Sequence, residues 1–168
     1  MKLYIAGKVS KESQFGTHHW RDNFVAELAT KSGLELTHLD PLAYEQAVYD
    51  PQAIFDKDCW LISQVDCVIV YLSDDISVGG SQEMLIAKHL AKPLVGYAPR
   101  GGKFNADERE FMGQTIKNYV DPFVFASCDI VAGTLHEVAA ALQTVPSQPP
   151  KTITIIDEAI ERYKNGNH

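Results

Sequence analysis

The sequence predicts a single α/β domain with a mainly parallel five-stranded sheet and helices on both faces, in a flavodoxin-like or Rossmann-like arrangement. Short apolar runs typical of strands alternate along the chain with longer stretches that carry apolar residues at helical spacing. The 168 residues, 45% of them hydrophobic, can form one well-buried core but hardly two. We therefore expect one domain over residues 1–145, followed by a proline-rich linker and a C-terminal helix over residues 146–168.

Five short segments, apolar or alternating between apolar and polar residues, are the expected strands. They are residues 2–7, 34–39, 66–72, 94–98 and 122–126. Gly7 ends the first strand, where the backbone must turn. Because helices separate the strands, right-handed crossovers should place them parallel in one sheet. Ligands of such sheets bind outside the carboxyl ends of the strands. Those ends are Gly7-Lys8, residues 73–81 and residues 99–105.

The segments between the strands are the expected helices, most of them with apolar residues on one face. They cover residues 18–32, 51–64, 82–90, 106–118, 134–142 and 152–163. Thr17 can cap the first helix, and Gly33 ends it. Asp50 followed by Pro51 is a cap with a proline at the first helical position, which starts the second helix. Residues 41–49 fit a helix or a loop equally well.

The charge and the cysteine pattern limit the classes of function. The net charge is −7 and no run of Lys and Arg could follow a phosphate backbone, so polymeric nucleic acid is not an expected partner. No apolar run reaches the length of a membrane span and the N-terminus lacks a signal-peptide layout, so we expect a cytoplasmic protein without membrane contact. Cys59, Cys67 and Cys128 lie far apart in apolar sequence, which is typical of buried free thiols. The adjacent His18 and His19 point about 100° apart on a helix and do not predict a metal site.

Two acids lie on the helices that flank the third strand. Asp58 shares a helical face with Ile54, Leu61 and Ile62, so it points toward the core side. Because burying a lone carboxylate is costly, Asp58 is either bound by buried donors or stands at the rim of a cavity where its chemistry is used. Glu83 lies in the expected first turn of its helix, where the helix dipole should keep it ionised. That suits a nucleophile and an ordinary dipole-compensating residue equally.

The loop before Glu83 is rich in small residues. Gly79, Gly80 and Ser81 could let backbone amides approach an anion at a helix start, or could form a plain turn with Ser81 as the cap. The chain has no Walker loop, no GxGxxG after the first strand and no GxSxG. Two acids in unlike environments are what cleavage of a glycosidic bond requires, one as nucleophile and one as proton donor. Tyr4 could hold the second oxygen of the nucleophile, or be an ordinary core tyrosine.

Three blocks of sequence carry a resemblance to a known family. They are LYIAG (residues 3–7), DCWLISQVD (residues 58–66) and SVGGSQEMLIAKHLAKP (residues 77–93). In their order and spacing the chain resembles the nucleoside 2-deoxyribosyltransferase superfamily, which includes base-exchanging transferases and related nucleoside 5′-monophosphate N-glycosidases. The resemblance implies that Glu83 is the nucleophile that forms a covalent glycosyl-enzyme, that Asp58 protonates or orients the departing base, and that Tyr4 positions Glu83. It implies neither a metal nor an organic cofactor.

The expected substrate-binding residues combine the loop residues with positions that the resemblance supplies. They are Gly7, Lys8, Ser77, Gly79, Gly80, Asn118 and Asp121. Ser77 stands where the transferases carry aspartate and the monophosphate hydrolases carry a phosphate-binding serine, which favours a nucleotide. Asp121 falls near a position where the hydrolases use serine, and a carboxylate there disfavours a phosphate unless Lys8, Lys11 or Arg100 compensates. After the first strand the chain also lacks the serine and arginine of those hydrolases.

The resemblance implies a homo-oligomer, a dimer or larger, with shared active sites to which residues 118–127 would contribute in the neighbouring subunit. We expect an enzyme that cleaves the N-glycosidic bond of a (2-deoxy)ribonucleoside or its 5′-monophosphate and passes the sugar to a free nucleobase or to water. Transfer and hydrolysis, purine and pyrimidine, and ribose and deoxyribose stay open. The alternatives are a non-catalytic nucleotide-binding regulatory domain and an interaction module that uses the C-terminal helix.

Overall fold

A parallel β-sheet runs through the computed structural model, which describes residues 1–7, 20–44, 49–73 and 75–166. Within these ranges the strands are β1 (Lys2–Ala6), β2 (Thr37–Leu39), β3 (Cys67–Tyr71), β4 (Leu94–Tyr97), β5 (Asn105–Phe111), β6 (Gln114–Val120) and β7 (Ile130–Ala132). Five of them form the sheet in the order β2-β1-β3-β4-β7, and all neighbouring pairs are parallel. This is the flavodoxin-like order, which confirms the predicted fold class.

Helices connect the strands of the sheet and follow its last strand. They are α1 (Trp20–Ser32), α2 (Pro51–Ser63), α3 (Val78–His89), α4 (Pro122–Ser127), α5 (Leu135–Thr144) and α6 (Ile155–Lys164), with short 3-10 turns at Pro41–Tyr44 and Val145–Ser147. Asp50 caps α2 as predicted, because its side chain accepts hydrogen bonds from the amides of Gln52 and Ala53. The expected cap Thr17 lies outside the described residues, as do His18 and His19. In the described ranges, no helix combines the length and hydrophobicity that crossing a membrane requires.

The core has one apolar layer on each face of the sheet. Side chains of β1 alternate between the two faces. Leu3 and Ile5 pack with residues of α1 and α5. Tyr4 and Ala6 pack with residues of α2, α3 and α4 on the other face. The sheet is therefore covered on both sides, and the face that holds Tyr4 is the one on which the expected acids lie.

The expected helix over residues 106–118 is wrong, because these residues form most of an antiparallel hairpin. β5 and β6 pair from Asn105 with Val120 to Phe111 with Gln114. Met112 and Gly113 connect them, with φ values of 49° and 78°. Positive φ at both central residues is typical of the tight turns that match the twist of a hairpin. Both strands are largely exposed, so the polar composition that indicated a surface helix belongs to a surface hairpin.

The expected strand over residues 122–126 is also wrong, and the fifth strand of the sheet is β7. Asp121 caps the short helix α4, accepting hydrogen bonds from the amides of Phe123 and Val124, and Pro122 occupies its first position. This is the same cap and proline that start α2 at Asp50. The apolar content of the segment favoured a strand, but the Asp-Pro pair determines the local structure.

Candidate active site

Tyr4, Asp58 and Glu83 are brought together at the face of the sheet covered by α2 and α3. Tyr4 lies in β1 and is fully buried. Its hydroxyl donates a hydrogen bond to Oε1 of Glu83 in α3, with a distance of 2.9 Å between the two oxygens. Burial and the negative charges of Glu83 and Asp58 raise the pKa of Tyr4 far above its ordinary value. The phenol therefore stays protonated and acts as a donor to Glu83.

Glu83 lies deeper in its helix than the sequence predicts. α3 begins at Val78, and its N-cap is Ser77, whose Oγ accepts a hydrogen bond from the amide of Gly80 at 3.0 Å. The alternative in which Ser81 is the cap is therefore wrong. Glu83 follows the cap by six residues and lies in the second turn. Because the effect of the helix dipole falls off within the first turn, it does not explain an ionised Glu83.

Glu83 is half-buried, and this burial is the largest influence on its pKa. It raises the pKa of this carboxyl, and the negative charge of Asp58 adds to the rise. The hydrogen bond from Tyr4 and the positive charge of Arg21 act in the opposite direction. A buried carboxylate is more basic and less well solvated than one in water, while the phenol and the guanidinium favour its ionised form. Within the described residues, the ionised form of Glu83 is therefore favoured by the hydrogen bond from Tyr4 and by the charge of Arg21.

Of the two alternatives predicted for Asp58, binding by buried donors is not seen at its Oδ1 within the described residues, and a place at the rim of a cavity stays a prediction. In the described part of the chain, its Oδ1 is buried and has no hydrogen-bond partner. Lys57 Nζ lies 3.9 Å from this oxygen, and the side chain of Asp58 is 22% exposed. Burial raises the pKa of Asp58, against the lowering effects of Lys57 and Arg21. A carboxyl group of raised pKa with an unsatisfied oxygen is suited to donate and accept a proton.

Gly7 and Gly80, two of the expected substrate-binding residues, are closely packed within the described part of the chain, and their binding role stays a prediction. A side chain on Gly7, whose φ is +121°, would place its Cβ 2.6 Å from the carbonyl oxygen of Tyr71. A Cβ on Gly80 would lie 3.7 Å from the Cα of Gly7. Close packing therefore requires glycine at position 7, where the backbone of Tyr71 lies against it, whereas a Cβ on Gly80 would lie at ordinary contact distance from Gly7. Gly79 is exposed beside this contact, and Lys8 lies outside the described residues.

Asn118 and Asp121 lie with the hairpin and α4. Asn118 is exposed in β6 and lines a small polar cavity of about 160 Å³ that also contains Arg100 and Glu137. Asp121 is the cap of α4 and lines an apolar cavity of about 250 Å³ between α3 and α4, together with Phe104. The described contacts of these two residues do not include Tyr4, Asp58 or Glu83, and their expected contribution to the site of a neighbouring subunit stays a prediction.

Arg21 is the charged residue of this region that the sequence interpretation missed. Its side chain is only 13% exposed, and its Nε donates a hydrogen bond to the carbonyl of Ile5 in β1 at 3.0 Å. Arg21, Val25 and Leu28 have the spacing i, i+4, i+7, so Arg21 lies on the inward stripe of α1. A charged residue on an apolar helical face was the pattern that indicated Asp58, and the same pattern indicates Arg21.

A metal site is not evident in the same ranges. Among the residues that the structure describes, no group of three or more His, Cys, Asp or Glu side chains is placed to hold a metal ion. The chemistry that this arrangement offers is that of two carboxyl groups and a phenol. The environments of the two carboxyl groups differ. Glu83 accepts a hydrogen bond from Tyr4, whereas Oδ1 of Asp58 has no donor within the described residues.

Solved structures share this fold. No protein-family model matches the chain, and no curated protein sequence does either. A conserved protein from Enterococcus faecalis V583 has a TM-score of 0.58 at 14% identity, over 85% of this chain and 97% of that chain. A 2-deoxyribosyltransferase from Bacillus psychrosaccharolyticus has a TM-score of 0.56 at 15% identity, over 90% and 98%. A 2-deoxyribosyltransferase from Leishmania mexicana has a TM-score of 0.50 at 20% identity, over 86% and 97%. These likenesses confirm the fold that the resemblance implies.

Proposed function

We propose that this protein cleaves the N-glycosidic bond of a (2-deoxy)ribonucleoside or its 5′-monophosphate, with Glu83 as the nucleophile and Asp58 as the general acid. The observation that carries the proposal is the hydrogen bond from Tyr4 to Oε1 of Glu83 beside a buried, unsatisfied oxygen of Asp58, within the described residues. The fold shared with two 2-deoxyribosyltransferases supports the same chemistry.

In the first step, Glu83 attacks C1′ of the sugar. The bond between C1′ and the base nitrogen breaks and its electron pair leaves with the base. Asp58 gives its proton to the base, which departs neutral, while Glu83 becomes a glycosyl ester. Tyr4 holds one oxygen of Glu83 in place, so that the other oxygen is directed at the sugar.

In the second step, water or another nucleobase attacks C1′ from the side that the first base has left. The ester bond breaks and its electron pair returns to Glu83 as the carboxylate. Asp58, now ionised, takes the proton that the incoming water or base loses. The raised pKa of Asp58 suits both the donation and the recovery of this proton at neutral pH.

The geometry of Ser77 allows a contact with a 5′-phosphate. Its Oγ accepts the hydrogen bond from the amide of Gly80. A hydroxyl both donates and accepts, and the contacts of the described residues leave the proton of this one available for a ligand. Ser77 is exposed at the start of α3, where the helix dipole favours an anion. We therefore propose that a nucleoside 5′-monophosphate is used in preference to the nucleoside.

Exposed apolar side chains on the hairpin of β5 and β6 and on α4 support the proposal of a homo-oligomer. Phe111, Met112, Phe123 and Phe125 are large apolar side chains that this part of the chain exposes. Where exposed apolar side chains of this size form a patch, they mark an interaction surface. A second copy that covers them would bring Asn118 and Asp121 near a neighbouring site. The mass of the native particle by light scattering tests this, and a monomer at micromolar concentration would contradict it.

The central experiment incubates the purified protein with a panel of nucleosides and 5′-monophosphates, with and without free adenine. Chromatography follows released base and new nucleoside, and intact mass after an acid quench detects a glycosyl adduct on the protein. We expect base release that is lost in Glu83→Ala and retained in Glu27→Ala, whose glutamate lies on the surface of α1. Tight nucleotide binding by calorimetry without base release from any substrate would instead support the non-catalytic nucleotide-binding domain.

A further inference from the structure

We propose that Arg21 is a positioning residue of this site. Its guanidinium fixes the end of β1 against the corner after β2, formed by Asp40 and Pro41, and holds a permanent positive charge beside Asp58 and Glu83. The inference rests on the proposed function for its catalytic consequence. The contacts that carry it are independent of that function.

The guanidinium of Arg21 is held from three sides. Its Nε donates to the carbonyl of Ile5 at 3.0 Å, next to Tyr4 in β1. One terminal nitrogen lies 3.6 Å from Oδ1 of Asp40, which follows β2. The guanidinium carbon lies 4.7 Å from the centre of the Trp20 ring. An arginine with a backbone hydrogen bond, a carboxylate and an aromatic face has little freedom to move.

A second cation reaches the same corner from the other helix. Lys57 Nζ donates to the carbonyl of Pro41 at 2.9 Å and lies 3.9 Å from Oδ1 of Asp58. Arg21 and Lys57 thus bind adjacent residues of the corner, one from α1 and one from α2. Asp40 also accepts a hydrogen bond from the amide of Leu42. The corner is therefore a rigid support between the two cations.

The titratable groups that act on Glu83 and Asp58 come from β1, α1 and α2. β1 supplies Tyr4, α2 supplies Asp58 and Lys57, and α1 supplies Arg21, with Asp40 behind it. Of the two cations, Arg21 lowers the pKa values of both Glu83 and Asp58. Because arginine is not deprotonated in proteins, this charge persists at all working pH values.

The proposed reaction needs such a charge in both of its states. Before the first step the negative charge is on Glu83 and Asp58 is protonated. In the glycosyl-enzyme Glu83 is a neutral ester and Asp58 is the anion. The site therefore keeps one negative charge, which moves from one acid to the other. A fixed cation that faces both acids stabilises the charge in either position without reorganisation.

The first test measures the acids directly. Protein labelled with ¹³C at the side-chain carboxyls of Asp and Glu is titrated by NMR, and the signals are assigned with Asp58→Asn and Glu83→Gln. In Arg21→Gln we expect the midpoints of Glu83 and Asp58 to rise by roughly one pH unit, the size typical of losing a nearby opposite charge. The control Arg162→Gln removes an exposed arginine of α6 and should leave both midpoints unchanged. Unchanged midpoints in folded Arg21→Gln would overturn the proposal.

The second test measures the consequence for turnover. In Arg21→Gln the acidic limb of the pH profile for base release should move to higher pH, and kcat should fall by roughly 10-fold or more with little change in KM. Arg21→Lys keeps the charge without the fork of donors, so it should restore the position of the acidic limb but only part of kcat. A purely structural Arg21 would lower activity at all pH values without moving the limb.

A third measurement covers the case in which Arg21→Gln alone does not fold. The same substitution is made in Asp58→Asn/Glu83→Gln, where the acids are neutral. We expect the substitution to lower Tm less in this background than in the wild type, which is the signature of coupling between the groups. An equal loss of Tm in both backgrounds, or failure to fold in both, would overturn the proposal. A wild-type protein without turnover on any substrate contradicts the proposed function, and the titration then still decides the role of Arg21.

Discussion

Tyr4 is the residue on which the orientation of Glu83 depends. Its hydroxyl donates to Oε1 of Glu83 at 2.9 Å. A hydrogen bond to a charged group contributes roughly 1.5–3 kcal/mol. At about 1.4 kcal/mol per factor of ten, Tyr4→Phe should lower kcat for base release about 10- to 100-fold and leave the fold intact. The control Tyr49→Phe alters an exposed tyrosine and should have wild-type activity. Full activity in Tyr4→Phe would show that Glu83 needs no such donor.

The ionised carboxylate of Glu83 should lower the free energy of unfolding at neutral pH. Burial raises the pKa of Glu83 above its unfolded value, so the folded state binds a proton more tightly and loses stability as the pH rises through the folded pKa. Glu83→Gln keeps an oxygen that can accept from Tyr4 and carries no charge. Its Tm should exceed that of the wild type by a few degrees at pH 7.

The pH dependence of this gain separates charge from packing. Below about pH 4, near the ordinary pKa of a free glutamate, Glu83 is protonated in both states and the difference in Tm should vanish. Scanning calorimetry of the two proteins from pH 4 to pH 8 measures it. A constant difference across this range, or a lower Tm for Glu83→Gln at pH 7, would contradict the assignment of a buried, destabilising charge.

The sequence made the acids predictable and left their environment open. Asp58 could be found because a carboxylate on an apolar helical face is rare, and Glu83 and Tyr4 followed from the chemistry and the resemblance. The reason given for an ionised Glu83 was wrong, because the start of a helix is set by one capping hydrogen bond that two nearby serines could equally make. Arg21 carries the same signal on α1, but its partners, Ile5 and Asp40, are distant in sequence and could not be predicted from it.

At the scale of elements, the N-terminus of α3 combines a structural and a proposed binding role in Ser77. Ser77→Ala removes the acceptor for the amide of Gly80 and should lower the free energy of unfolding by about 1 kcal/mol. Ser77→Asp keeps a good capping side chain but adds a negative charge. Its stability should equal that of the wild type, whereas kcat/KM for a 5′-monophosphate should fall relative to the corresponding nucleoside.

Urea denaturation measures the stabilities of both Ser77 variants, and paired assays with a nucleoside and its monophosphate measure the preference. Asp50→Ala, which removes the cap of α2, gives the reference loss for a cap outside this loop. An unchanged preference for the monophosphate in Ser77→Asp would place the phosphate elsewhere.

A start signal allowed two helices to be predicted, whereas the segments interpreted from composition alone were predicted wrongly. The helices that start at Asp50-Pro51 and Thr134 were expected where they lie. The hairpin of β5 and β6 was mistaken for a helix because its two faces are both polar, so neither the helical nor the strand period is visible. Its Met112-Gly113 turn is the local signal, but a methionine with positive φ is uncommon at this position. α4 was mistaken for a strand although Asp121-Pro122 repeats the signal of α2.

At the scale of the whole molecule, one buried ion pair joins the sheet, α3 and the C-terminal tail. Lys88 of α3 is fully buried and donates to Oδ2 of Asp129, which also accepts from the amide of Leu94 in β4. Oδ1 of Asp129 accepts from the amide of Lys151. The amide of Ile153 in turn donates to the carbonyl of Lys88. The tail that leads to α6 is therefore attached at both ends of this pair.

Removing Asp129 should affect the fold as a whole. Burial lowers the pKa of Lys88 and the bond to Asp129 offsets part of that effect, so loss of the carboxylate leaves a buried ammonium without its counter-charge. Breaking such a pair costs about 3–5 kcal/mol, and Asp129→Ala should lower the free energy of unfolding by that amount. Glu161→Ala breaks the exposed pair with Lys164 and should cost less than about 1 kcal/mol. Urea denaturation of both variants measures the losses, and limited proteolysis shows whether cleavage in Asp129→Ala begins in the tail. Equal losses for the two variants would mean that Lys88 finds another partner or loses its proton at little cost, and the tail would then be held by its backbone contacts alone.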